Sequence, residues 1–275
     1  GAARGPAAIR SAAANLPCSF EPSFALHDAG DVECGGGALE EAQALLGEKV
    51  QAIRSRGWLP IVLGGGHETA YGHWLGQRAA AGGPGAMGDP GAAAAGGFGV
   101  VNFDAHFDLR PYPRGGSSGT MFRQIADRLA AEGEPFRYLC LGVQKRSNTV
   151  ALFRDAERLG ARWLMARDLA EAGASSAYPE IDRFAAESER IMATVCLDVV
   201  SSAWAPGVSA PQPLGLDPET LLRMLKRVFA RGRVVGLDLC ELSPRESEGD
   251  PTASLAATIL FAAINAAAEK AGLAR

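Results

Sequence analysis

Asp104, His106 and Asp108 stand at alternate positions in the stretch GFGVVNFDAHFDLR, residues 97–110. On an extended backbone alternate side chains leave the same face, so two carboxylates and an imidazole would converge on one point. Hard oxygen donors with a borderline nitrogen suit a divalent ion such as Mn2+. His67 follows a second apolar run, Ile61-Val62-Leu63, after the turn Gly64-Gly65-Gly66. That glycine turn lacks the Lys-Ser/Thr of a phosphate loop and the spacing of a dinucleotide loop, so an imidazole metal ligand is the chemistry it fits. Asp198 and Glu241 close two further apolar runs, RIMATVCLDVV and RVVGLDLCEL. Cys196, two residues before Asp198, has two readings that the sequence leaves open: a soft thiolate ligand, or a small buried hydrophobe. Ser117 and Ser118 have no evident histidine partner, so the pattern favours metal-assisted chemistry over a serine nucleophile.

These residues need elements that bring them to one place. Each apolar run is short and rich in β-branched residues, which reads as a strand buried on both faces. Between the runs lie helical segments. Leu39, Ala42, Leu46, Val50 and Ile53 recur at helical spacing over 39–56, and Gly57 can end that helix. Further helices are predicted over 5–16, 68–80, 120–132, from 150 to about 159, after the Asp217-Pro218 cap, and over 252–271. Strands at 136–144 and 161–166 complete the alternation, and a short strand is expected over 27–34 with His27 and Asp28 as a lesser site candidate. The alternation implies an α/β chain with a mostly parallel sheet, helices on both faces and sites beyond the carboxyl ends of the strands. The low-complexity stretch Ala79–Gly97 reads as a tolerated surface insertion, and the loop 111–120, leaving the metal candidates directly, is expected to border substrate.

The 275 residues suffice for one large domain over 1–275, with 47% hydrophobic and 21% charged residues. A net charge of −4 with both signs interspersed gives no electrostatic case for nucleic acid or an anionic membrane. Five cysteines without CxxC spacing point to a reducing compartment, the cytoplasm. The apolar stretch 252–271 contains Asn265 and gives way to Glu269-Lys270, so a packed terminal helix is expected and not a span. The chain starts at Gly1 without Met, and its N-terminus is expected to be incomplete. A small-molecule substrate is the partner expected, and assembly into a homo-oligomer stays open.

The stretches GGGHE (64–68), DAHFD (104–108) and CLD (196–198) with APG (205–207) resemble the ureohydrolase family of arginase and agmatinase, in the family's order. SSGTMF (117–122), APGVSAP (205–211) and GLDLCELSP (236–244) are most similar to its formimidoylglutamase branch. The resemblance implies a three-layer α/β/α fold and a binuclear manganese centre with His67, Asp104, His106, Asp108 and Asp198 as ligands and Asp104 bridging. It implies hydrolysis of N-formimidoyl-L-glutamate to L-glutamate and formamide, a step of histidine degradation. Asp108 and Glu241 are then the expected catalytic residues, and Arg110, Ser118, Asn148 and Glu241 the expected substrate contacts. Arg110 is expected to act as a buried partner of a substrate carboxylate. The chain departs from the family pattern at Cys196, where arginases and agmatinases carry a second bridging Asp, and at Ser118, where many carry a loop His. The soft sulfur leads to an expectation of weak or uneven manganese loading. A sibling amidine hydrolase and a metal-poor regulatory homologue are the alternatives.

Overall fold

The structure is a computed structural model and describes residues 1–34, 38–81, 97–245 and 250–274. Six strands form one sheet: β1 (Ile61–Leu63), β2 (Phe98–Phe103), β3 (Arg137–Val143), β4 (Arg162–Met165), β5 (Arg190–Cys196) and β6 (Val234–Cys240). Their order is β1-β6-β5-β2-β3-β4, and every pairing is parallel. Among the described residues nine α-helices connect or flank the strands: α1 (Gly5–Ala13), α2 (Leu39–Ser55), α3 (Thr69–Ala80), α4 (Met121–Ala131), α5 (Val150–Arg158), α6 (Ala166–Ala172), α7 (Tyr178–Glu187), α8 (Pro218–Arg231) and α9 (Pro251–Lys270).

Alternation along the strands feeds two cores. Val101, Phe103, Leu141, Val195 and Leu239 pack with apolar residues of α1 and α6 to α9 on one face. Val100, Tyr138, Cys140 and Met192 pack with residues of α3, α4 and α5 on the other, and α2 lies against α3. The result is the three-layer α/β/α architecture. Side-chain caps start three helices: Thr149 accepts from the Leu152 N–H, Asp217 from Thr220, and Asp250 from Thr252 and Ala253. Each such cap contributes about 1 kcal/mol.

The sheet fixes where chemistry can occur. The chain runs outward from β2 through β3 to β4 on one side, and β5 joins the other flank of β2. The strand order therefore reverses at β2–β5, and the crevice beyond their carboxyl ends is the ligand position of such sheets. The segments 104–108 and 197–199 open into that crevice.

Two expectations change. The 27–34 segment forms no strand: Arg10 pairs with Asp28 at 3.0 Å and Asp31 at 2.7 Å, and the His27 ring packs on Trp58 at 4.4 Å, so side chains rather than a ladder hold it. Residues 82–96 of the expected surface insertion lie outside the described residues. The segment 104–108 is also not extended, as its geometry below shows. Helix α9 is long and apolar enough to cross a membrane, with a mean hydropathy of 1.5, yet 61% of that window is buried within the fold, against α1, α8 and the sheet.

Candidate metal centre

β2 ends at Phe103, and the backbone then bends. The Asp104 N–H still donates to the Leu141 carbonyl of β3 at 3.0 Å, and the Gln144 N–H donates to the Ala105 carbonyl at 3.0 Å. Beyond this the chain turns, and Asp108 takes φ +51°. Ala105, Phe107 and Leu109 are fully buried. The Phe107 ring packs edge-on against Phe153 and Trp163 at 5.0 and 5.3 Å. Its N–H donates to Asn148 Oδ1 at 2.9 Å, and its carbonyl accepts from the Tyr138 hydroxyl at 3.0 Å. The apolar residues thus anchor the turn, and Asp104, His106 and Asp108 are directed away from it. Convergence comes from an anchored turn, not from a straight strand.

Asp104 lies at the centre of the cluster. Its Oδ2 is 3.0 Å from His67 Nδ1, and its Oδ1 is 3.3 Å from His106 Nδ1. Asp108 Oδ2 is 3.0 Å from the same His67 nitrogen, and Asp198 Oδ2 is 3.2 Å from His106 Nδ1. Two donor groups result, His67–Asp104–Cys196 and Asp104–His106–Asp198, each with its ligand atoms within 4.8 Å of one another. Asp104 belongs to both. Cys196 is therefore among the candidate ligands and is buried as well, so its two readings meet in one place. Asp198 Oδ1 is buried with no hydrogen-bond partner among the described residues. An unpartnered carboxylate oxygen beside an imidazole and a shared carboxylate fits a divalent cation.

Proton affinities show how strongly the donors crowd one another. Burial pushes Asp108 up to about 7 and Asp198 up to about 6, reinforced in both by the charge of Asp104. Burial works against charge on His106, yet its bonds to Asp104 and Asp198 raise it to about 11. His67 is likewise held well above its usual value, since its bonds to Asp104 and Asp108 outweigh burial. Burial would raise Asp104, but His106 and His67 hold it well below the usual carboxylate range. Burial, then the charges of Asp104 and Asp198, push the Cys196 thiol up. Protons here occupy the place that cations can take.

Glu241 ends β6 with φ +72°; it and Asp108 are the two non-glycine residues with positive φ among the described residues. Backbone strain of this kind concentrates at functional sites. Glu241 Oε1 accepts from the His67 N–H at 2.7 Å, and Oε2 accepts from the Ser209 hydroxyl at 2.8 Å. This joins the carboxylate to the GGGH turn and to the loop containing 205–211. The remaining candidates are placed differently. Arg110 is exposed, and its guanidinium lies over Gly119, so it is not the buried charge partner expected from sequence. With Tyr112, Arg114, Ser117 and Thr120 it lines an open cavity of about 530 Å³ that contains none of the metal candidates. Ser118 is exposed on the same loop. Asn148 uses both amide hydrogens on backbone, the Ala105 carbonyl at 2.8 Å and the Gln144 carbonyl at 2.9 Å, so it holds the 105–107 turn.

The sequence reading missed three supporting groups. Thr194 Oγ1 lies 2.8 Å from His67 Nε2 and donates to Asp238, and Asn102 donates to Asp104 Oδ2 at 3.3 Å. Each is a polar residue inside an otherwise apolar strand and fully buried, and that misfit was the available signal.

Comparison with known proteins identifies the fold and the family. The model of the arginase family matches residues 1–265. A formimidoylglutamase of Geobacillus thermodenitrificans is 43% identical over 264 residues, covering 96% of this chain and 77% of the relative. Among solved structures, formimidoylglutamase from Bacillus subtilis superposes with a TM-score of 0.80 at 24% identity, covering 98% of this chain and 82% of the other. Trypanosoma cruzi formiminoglutamase, solved with Mn2+, gives a TM-score of 0.80 at 24% identity over 98% of this chain and 86% of the other. At that identity both structures speak for the fold. The family match over nearly the whole chain, together with 43% identity to a curated relative, places the chain in the arginase family.

Proposed function

We propose that this chain hydrolyses N-formimidoyl-L-glutamate to L-glutamate and formamide at a pair of Mn2+ ions. The observation that carries the reading is the shared carboxylate: Asp104 joins two imidazole-bearing donor groups at the switch point of the sheet. His67, Asp104, Asp108 and Cys196 would hold one ion, and Asp104, His106 and Asp198 the other. The 43% identity to a relative named for this reaction supports the substrate.

When bound, such a pair supplies Lewis acidity that brings a water molecule's pKa toward about 7. The residues supply the rest. Water adds to the amidine carbon, the bond from that carbon to the glutamate nitrogen breaks, and a proton must reach the departing nitrogen. Asp108, whose carboxylate lies beside His67 in the crevice, is the group to take up and pass on that proton. Glu241, fixed at both oxygens, orients the cationic amidinium through charge-assisted hydrogen bonds. Arg110 and Arg114, on the exposed loop that follows Asp108, offer positive charge to the substrate carboxylates. The five free cysteines support a reducing, cytoplasmic setting.

A substrate panel tests the reading. Manganese-loaded protein should release glutamate from formimidoylglutamate and leave arginine and agmatine essentially untouched. A preference for agmatine or arginine would replace the reading with a sibling amidine hydrolase.

A further inference from the structure

Four buried groups behind His67 form a continuous hydrogen-bonded path, and its direction can be worked out donor by donor. Gln77 and His73 are one helical turn apart on α3 and so share a face. Gln77 Nε2 donates to the Val235 carbonyl at 2.9 Å, which fixes the amide orientation, since an oxygen there would face another oxygen. Its second hydrogen points to His73 Nε2 at 3.0 Å. His73 must accept there, so its proton is on Nδ1, which donates to Asp238 Oδ2 at 2.8 Å. The other oxygen of Asp238 accepts from the Thr194 hydroxyl and, at 3.5 Å, from the Cys240 thiol. Thr194 has one hydroxyl hydrogen, and it is used on Asp238. Toward His67 Nε2, 2.8 Å away, the hydroxyl can therefore only accept.

We propose that Gln77, His73, Asp238 and Thr194 form a hydrogen-bond chain, converging from both sides on the Asp238 carboxylate, that keeps a proton on His67 Nε2 and so presents Nδ1 as the metal-facing lone pair. Nδ1 is the nitrogen that lies 3.0 Å from both Asp104 and Asp108. Ligating histidines depend on such partners for tautomer and ring orientation. Here the control reaches four residues behind the ligand and ends in a helix of the neighbouring layer. Gly236 makes room for it: a Cβ there would lie 2.2 Å from Gln77 Nε2 and 2.3 Å from His73 Nε2. His73, Thr194 and Asp238 are fully buried and Gln77 nearly so, so water does not replace a lost link. These four are positioning residues; none touches the substrate.

The inference rests on the two-ion reading of the centre, and the experiment separates the two. Metal-free protein is titrated with MnCl2 by calorimetry, and bound ions are counted. Wild type should bind two ions. Thr194→Val, which keeps the shape and removes the hydroxyl, should weaken one of the two binding steps about 10- to 100-fold and leave the other unchanged. Thr194→Ser should restore it. His73→Leu should weaken the same step, and His73→Asn, whose amide N–H takes the place of Nδ1–H, should retain it. If His73→Leu does not fold, the Thr194→Val and Thr194→Ser pair decides. Wild type binding two ions while Thr194→Val also binds both unweakened, or loses both steps equally, would overturn the chain. Wild type binding no manganese would overturn the two-ion reading itself.

Discussion

Cys196 is the one sulfur among candidate donors that are otherwise carboxylates and imidazoles. A thiol whose proton affinity is raised by burial and by neighbouring carboxylates needs a cation to lose its proton, and Mn2+ prefers oxygen. Cys196→Asp should raise manganese affinity on the order of tenfold, about 1.4 kcal/mol, read by equilibrium dialysis; equal or lower affinity would mark the sulfur as a suited ligand. The carboxylates give a pH signature in the metal-free protein. Folded Asp108 keeps a proton up to about 7, which the unfolded chain sheds near its ordinary 3.8. The folded state then binds more protons, and stability falls as pH rises between those values. His106, raised to about 11, contributes stability that is full below 6.5 and lost as pH rises toward 11. Metal-free protein should therefore melt at lower temperature at pH 8 than at pH 6, and added Mn2+ should raise the melting temperature more at pH 8. Scanning calorimetry with and without Mn2+ checks both. Arg110→Ala, at an exposed position, should cost at most about 1 kcal/mol in kcat/KM for formimidoylglutamate with metal content unchanged.

At the scale of elements, the carboxyl ends of β1, β2, β5 and β6 were legible because short apolar runs stop at single polar residues. His67, Asp104, Asp198 and Glu241 stand at those four ends. The turn after β2 was not legible: alternation of Asp104, His106 and Asp108 suits an extended chain, and nothing local in the sequence announces that Asp108 adopts φ +51°. That conformation depends on tertiary anchors, Phe107 under Phe153 and Trp163, and Asn148 from the segment after β3. Asn148 was expected at the substrate for lack of this information. Asn148→Ala leaves the Phe107 N–H without its partner and removes one of the two hydrogen bonds at each of the Ala105 and Gln144 carbonyls. It should lower stability by about 1–3 kcal/mol and reduce manganese loading, while the loaded fraction keeps its KM. A change confined to KM, with stability intact, would return Asn148 to the substrate.

At the scale of the molecule, the sheet order and the reversal at β2–β5 decide which strand ends meet, and no local pattern contains that order. The parallel α/β class followed from strand–helix alternation; the juxtaposition of residues 104–108 with 196–198 followed from topology. The three-layer packing then removes water from the donors, which is why their proton affinities are displaced so far and why cations should enter in exchange for protons. Catalysis should require both ions grouped around Asp104. The most direct test is glutamate release from formimidoylglutamate by metal-free protein as Mn2+ is added and bound ions are counted. Activity should follow the second bound ion and level off at two per chain. Full activity at one ion per chain, or none at two, would contradict it.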